Sequence, residues 1–264
     1  MQAQFLTTFE SIRPQLRAYV LRMTANVADT DDIIQDSWIK ASQNLASFQG
    51  NSTLKTWIFA IATNVAKDYL RLKKRWTEDC TDICRQAALG NRAFFEEAMQ
   101  IRQHAPQGEF EIREHITFCF TCISKSLPLE QQVALLLKEV YAFKIKEIGE
   151  IMDISEAMTK YYLHTARTKM SDIFEKRCAL INKEGACHQC TELNGIFNPK
   201  QNAQEALMEI EMARDPESKS RDALFDLRMK IVQGIDPFNS GASTLQLHHL
   251  EHNRQVMERY LETV

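Results

Sequence analysis

The sequence predicts an all-α fold, and three observations carry that expectation. Most segments repeat their apolar residues at spacings of three and four instead of alternating them. Only 8 Gly and 6 Pro interrupt 264 residues, few for a turn-rich β protein. With 44% apolar and 25% charged residues, the chain can bury a sizeable core and is long enough for two or three small domains.

Taken in order, residues 4–24 read as an amphipathic helix facing inward with Phe5, Phe9, Ile12, Leu16, Tyr19 and Val20. Asp29, Thr30 or Asp31 can cap a second helix, in which Ile33, Ile34, Trp38 and Ile39 supply apolar surface and Asp32, Gln35 and Asp36 a polar edge. The turn-like FQGNST comes next, where Gly50 and Asn51 tolerate left-handed backbone angles. The helix beginning at Leu54 then carries two faces. Leu54, Ile58, Ile61, Val65, Tyr69 and Leu72 form a stripe for the core. Trp57, Ala60, Asn64, Lys67 and Arg71 form a second line, prolonged by Lys73, Lys74 and Arg75. An aromatic, an amide and a row of cations suit a nucleic acid whose bases are opened while its phosphates are neutralised, and a solvated helix ending in cations is the plainer alternative.

Residues 76–115 are less periodic and acidic, with eight Asp or Glu against four Arg, and read mostly as a solvated linker with a helical turn or two at AFFEEAMQI. From Leu127 the periodicity returns. Pro128 suits a helix start, IKEIGEIMD reads as a second helix, and Ser155 can cap a third that runs to about Met170. Helix, short turn, helix is the spacing of a helix-turn-helix, whose second helix enters the major groove. Beyond Cys190 a loop leads to three expected helices at 202–214, 219–233 and 244–262, with stripes that include Leu207, Ile210, Leu224, Leu227, Ile231, Leu247, Leu250, Val256 and Tyr260. They make the end of the chain a packed helical module. His248, His249 and His252 read there as surface or interface residues.

Two ordered motifs give these elements a family. TDDIIQDSWIKA, a short loop, and TWIFAIATNVAKDYLRLKKR resemble the second conserved region of the extracytoplasmic-function branch of bacterial sigma factors, with Ala62, Asn64, Asp68 and Arg71 in an A-x-N-x-x-x-D-x-x-R pattern. The segment from Leu127 to Met170 resembles the fourth region of the same branch, with Leu163, Ala166 and Arg167 keeping an L-x-x-A-R signature. The resemblance implies that Asp32, Gln35 and Asp36 grip a coiled coil of core RNA polymerase. It implies that Trp57, Asn64, Lys67, Asp68, Arg71 and Lys74 melt and read promoter DNA, and that the loop Gly50, Asn51, Ser52 and Thr53 captures a flipped base. Lys160, Tyr161, His164 and Arg167 become the readers of the distal promoter element. The chain also departs from the pattern. Thr63 stands where many relatives have Arg, and Glu156, Tyr162 and Thr165 leave the recognition helix poor in Arg, the residue best suited to bidentate guanine contacts.

The expected organisation is therefore a region 2 domain over 1–75, an acidic linker over 76–115, a region 4 helix-turn-helix domain over 116–176 and a helical extension over 177–264. The expected role is a noncatalytic specificity subunit that binds core RNA polymerase and melts promoter DNA to direct initiation. In the extension no nucleophile, carboxylate pair or phosphate-binding glycine loop suggests an enzyme. A polymerase-independent helix-turn-helix regulator and a thiol- or metal-sensing regulator are the alternatives. The net charge of −3 confines nucleic-acid contact to local patches, and with no signal-like or membrane-spanning stretch the chain is expected in the cytoplasm, away from membranes. The extension could brace the promoter-binding domain, receive an inhibitory anti-sigma factor, or dock a DNA-targeting partner such as an activator or a nuclease-dead RNA-guided effector. No cofactor is required. Among seven Cys, the pairs Cys119/Cys122 and Cys187/Cys190, with Cys178 nearby, admit three readings: a structural zinc site, inert buried thiols, or a reversible redox pair.

Overall fold

The computed structural model describes residues 1–104, 112–178, 217–241 and 243–264. Among the described residues every regular element is helical, as the periodicity predicts. The helices gather into two compact units, one of residues 1–75 with 127–166 and the other of residues 76–126 with 167–264.

In the first unit α1 (Gln2–Thr24), α2 (Val27–Gln43) and α3 (Leu54–Arg71) pack pairwise around Phe5, Phe9, Leu16, Tyr19, Ile33, Ile58 and Val65. The second helix starts two residues ahead of the expected caps. Asn26 caps it instead, its side chain accepting from the Asp29 amide at 3.2 Å. Thr53 caps α3, its hydroxyl accepting from the Thr56 amide at 3.1 Å.

The stripe predicted for α3 holds for Leu54, Ile58 and Val65 and fails at its end, where Leu72 comes after the last helical residue and is 92% exposed. A second buried face, Phe59, Ala62, Thr63, Ala66 and Leu70, accompanies the first. Its cover comes from α7 (Leu129–Leu135), a π-helical turn at Leu136–Val140, and α8 (Ile145–Met152). Phe143, in the turn ahead of α8, lies 4.9 Å from the Phe59 ring, and Tyr141 meets Tyr19 edge-on at 5.4 Å. Lys55 sits 5.0 Å above the Phe143 ring, and burial lowers its pKa. Three non-glycine residues of this unit, Ala25, Ala142 and Asp153, adopt left-handed backbone angles.

The helix-turn-helix is built on a close approach. A Cβ on Gly149 would stand 2.8 Å from the Ile154 carbonyl oxygen, so only glycine lets α8 turn back this tightly. Glu147 reaches back to the Lys144 amide at 2.7 Å at the start of α8, and Ser155 caps α9 (Glu156–Arg177) by accepting from the Met158 amide at 3.2 Å, as expected.

The second unit differs most from the sequence reading. In place of a solvated acidic linker stand α4 (Cys80–Leu89) and α5 (Arg92–His104), whose buried residues include Cys80, Cys84, Ala88, Phe94 and Ala98. They pack with α6 (Ile112–Ser124) and α11 (Ser243–Thr263), while α10 (Arg221–Gln233) packs on α6. The acidic balance of the whole 76–115 stretch disguised a 3.6-residue period carried by Cys, Ala and Phe. The helices expected at 219–233 and 244–262 are α10 and α11, and the one expected at 202–214 lies outside the described residues. His249 and His252 are buried against Phe94, at 5.0 and 4.1 Å between ring centroids, so of the surface or interface reading the surface half fails for these two.

Candidate nucleic-acid interface

Along α3 the predicted DNA face divides. Asn64, Asp68 and Arg71 are exposed, and Arg71 donates to Asp68 at 2.9 Å. Trp57 is half-buried, 5.4 Å from the Phe48 ring that precedes the loop. In that loop Gly50 has φ +75° with nothing within 4 Å of where a Cβ would lie, so the backbone angle rather than crowding favours glycine. Asn51 and Thr53 are exposed, Ser52 is half-buried, and Asn51 donates to the Gln49 side chain at 3.3 Å. Loop and helix are thus coupled by the Thr53 cap.

Lys67 does not join this face. It is 8% exposed, with its ammonium 4.0 Å from Glu130 of α7, because the second buried face of α3 carries it inward. Beyond the helix Lys74 is exposed, while Lys73 donates to Asp29 at 3.1 Å and lies over the Tyr69 ring at 4.6 Å. Arg75 turns inward. It donates to the Leu127 carbonyl at 2.8 Å and the Gln132 side chain at 2.7 Å, and burial lowers its pKa to about 10.

On α2, Asp32, Gln35 and Asp36 are exposed together. Trp38 and Ile39, read as apolar packing surface, are 40% and 37% exposed beside them. An acidic and amide edge flanked by uncovered apolar side chains can grip a protein partner with both polar and apolar contacts.

On α9 the four expected readers also divide. Lys160, Tyr161 and His164 are exposed, but Arg167 is only half-exposed and is held by α10. Its guanidinium donates to Asp226 at 2.7 Å and sits 4.7 Å over the Phe225 ring. Arg221 pairs with Asp172 and Glu175 of α9, and Arg228 stacks 3.7 Å over Phe174. The sequence reading missed this arginine clamp. Its signal was present in R-D-A-L-F-D-L-R, with Arg221 and Arg228 seven residues apart and so on one side of a helix.

Cys119 and Cys122 are buried in α6, whereas Cys187 and Cys190 lie outside the described residues. No group of three or more metal-ligating side chains gathers among the described residues. The Cys122 sulfur accepts from the Asn253 amide group at 3.7 Å, and Cys84 donates to the Asn253 carbonyl at 3.8 Å. Burial pushes the Cys80 thiol up to about 12 and the Cys84 thiol well above its ordinary value, so both are neutral at physiological pH.

Comparison with known proteins adds to this geometry. Residues 8–76 match the Sigma-70 region 2 family and residues 118–170 the Sigma-70 region 4 family. The extracytoplasmic-function RNA polymerase sigma-E factor of Haemophilus influenzae is 30% identical over 53% of this chain and 71% of its own length. The chain belongs to the extracytoplasmic-function branch of the sigma-70 family. The sigma-E factor of Salmonella typhimurium is likewise 30% identical, over 59% of this chain and 73% of its own. A solved sigma factor of Bartonella quintana, in complex with the anti-sigma factor NepR, overlaps this sigma factor with a TM-score of 0.44 at 17% identity, covering 65% of this chain and 97% of its own. The matched segments end at Met170, so α10 and α11 lie outside them.

Proposed function

We propose that this sigma factor binds core RNA polymerase through the exposed edge of α2 and opens promoter DNA with the exposed face of α3 and the loop before it. The reading rests on one observation above all. Asn64, Asp68 and Arg71 stand exposed along the helix whose first turn is capped by Thr53, the last residue of the Gly50 to Thr53 loop. An aromatic and an amide beside a loop with accessible polar side chains can hold an unstacked base while cations neutralise the flanking phosphates. Lys67 is the exception, buried against Glu130 in this arrangement. The role is noncatalytic, and its setting is the cytoplasm, where polymerase and promoter meet. Among the described residues no helix is long and apolar enough to cross a membrane.

The clamp on α9 favours bracing as the role of the extension; an anti-sigma factor or a DNA-targeting partner docked there is an added reading that deletion of 217–264 tests through partner-dependent initiation. A zinc ion held by Cys119, Cys122, Cys187 and Cys190 is tested by metal analysis of the purified chain, with about one equivalent expected if it is structural. The central experiment reconstitutes the chain with core polymerase on promoter DNA. Trp57→Ala with Asn64→Ala should impair open-complex formation and spare core binding, whereas Asp32→Ala with Gln35→Ala should weaken core binding. Equal loss of core affinity from both pairs would refute the division of labour.

A further inference from the structure

The extension holds the one arginine among the four candidate readers of α9. We infer that α10 is an internal competitor for DNA at the helix-turn-helix, with Asp226 occupying the Arg167 guanidinium that would otherwise meet a phosphate or a guanine edge. This rests on reading α9 as the recognition helix. Three features carry it.

The first is chemical equivalence. A carboxylate oxygen at 2.7 Å from a guanidinium nitrogen makes the same charge-assisted hydrogen bond that a phosphate oxygen makes, so one guanidinium nitrogen cannot serve both fully. The second is placement. Phe225 lies under the guanidinium plane and is buried, so Arg167 is held by stacking as well as by charge, in a fixed direction. The third is anchoring. Arg221 on Asp172 and Glu175, and Arg228 on Phe174, fasten α10 along the carboxy-terminal half of α9, so Asp226 meets Arg167 at a high effective concentration.

The consequence is twofold. Arg167 is withdrawn from DNA, and the exposed carboxylates Asp222 and Asp226 add negative charge beside the helix that would approach phosphates. Helix α10 therefore weakens the contact of α9 with DNA until something displaces it. The ion pairs on this seam, Arg167 with Asp226 and Arg221 with Asp172 and Glu175, are partly exposed and so individually weak and screened by salt, whereas the Arg228 contact with Phe174 is buried and keeps α10 near α9 when they open.

The test is fluorescence anisotropy of the full chain on a labelled random-sequence DNA duplex across a salt titration. Asp226→Asn should tighten binding about threefold at low salt and steepen the salt dependence by about one phosphate contact. Asp222→Asn removes the same charge one turn away and should give a clearly smaller gain. Arg167→Ala added to Asp226→Asn should abolish the gain. An equal gain from Asp222→Asn, a gain that survives Arg167→Ala, or no gain at all would overturn the inference. Lys160→Ala separates this from the underlying reading. If it weakens binding while Asp226→Asn does nothing, α9 reads DNA and the competitor is wrong; if both are silent, both fall. Because Asp226 is mostly exposed, unchanged circular dichroism is expected for Asp226→Asn, and Phe225→Leu, which keeps α10 apolar there, provides a second release of Arg167.

Discussion

Two helix seams are held together in opposite ways. Where α1 meets α3 and the segment from α7 to Tyr141, the polar contacts are largely buried: Tyr19 with Thr63 at 2.9 Å, Arg22 to the Tyr141 hydroxyl at 3.3 Å, and the Gln132 side chain to the Arg22 carbonyl at 3.1 Å. Where α10 lies on α9, arginines meet carboxylates that stay partly in water. A buried hydrogen bond adds little net stability when made but costs about 1–3 kcal/mol when one partner is removed, whereas an exposed ion pair is worth about 0–1 kcal/mol. The first seam should therefore define a conformation, and the second should be adjustable by salt or by a competing anion.

The contrast between the seams is tested most severely at Phe59. Phe59→Ala removes a fully buried ring from under Tyr141 and Phe143 and should cost about 3–5 kcal/mol in urea unfolding. A cost below about 1 kcal/mol would mean that the α3 cover is loosely packed. Gly149→Ala comes next, since the new methyl meets backbone 2.8 Å away; a loss of about 1–3 kcal/mol with impaired DNA binding is expected. Tyr141→Phe removes an acceptor of Arg22 and should cost about 1–2 kcal/mol, unaffected by salt. Arg221→Ala, on the other seam, should cost no more than about 1 kcal/mol, and the difference should vanish in high salt. A salt-independent loss there would erase the contrast.

A smaller effect comes from the thiols. Cys80 has a folded pKa raised to about 12 from an unfolded value of about 9, so below pH 9 both states hold the proton and the thiol contributes no pH dependence. Above pH 9 the unfolded chain releases it while the folded chain keeps it, so stability should fall as pH rises from about 9 to 12. Cys84 acts in the same direction. Thermal melts across that window, compared with Cys80→Ala, check the sign.

The helices of the first unit were legible because their apolar periodicity is carried by large residues. Asn64 and Arg71 were legible as exposed because they lie to one side of the stripe of Leu54, Ile58 and Val65, and Asp68 was placed with them by the family motif. Lys67 was misplaced because a helix covered on two sides looks amphipathic when the middle of its second buried face, between Phe59 and Leu70, is Ala62, Thr63 and Ala66. Helices α4 and α5 were hidden because their buried positions are mainly Cys, Ala and Phe and most of the acids that mark the stretch lie outside them. The grip of α10 on Arg167 was not legible at all, since Arg167 and Asp226 are distant in sequence and ordinary in type. Only folding brings that pair together.

The π-helical turn between α7 and α8 bears on how this family can be aligned. Over Leu136–Val140 the backbone takes a wider turn than an α-helix, and the Tyr141 amide donates to the Leu136 carbonyl at 3.1 Å as the chain leaves it. Losing one residue here would restore the narrower pitch and swing the chain beyond Val140 by about 100°. Tyr141 would then leave Arg22, and Phe143 would leave Phe59. The stretch should accept many changes of residue and almost none of length, so a relative with a gap here should lack the aromatic pair that closes over α3.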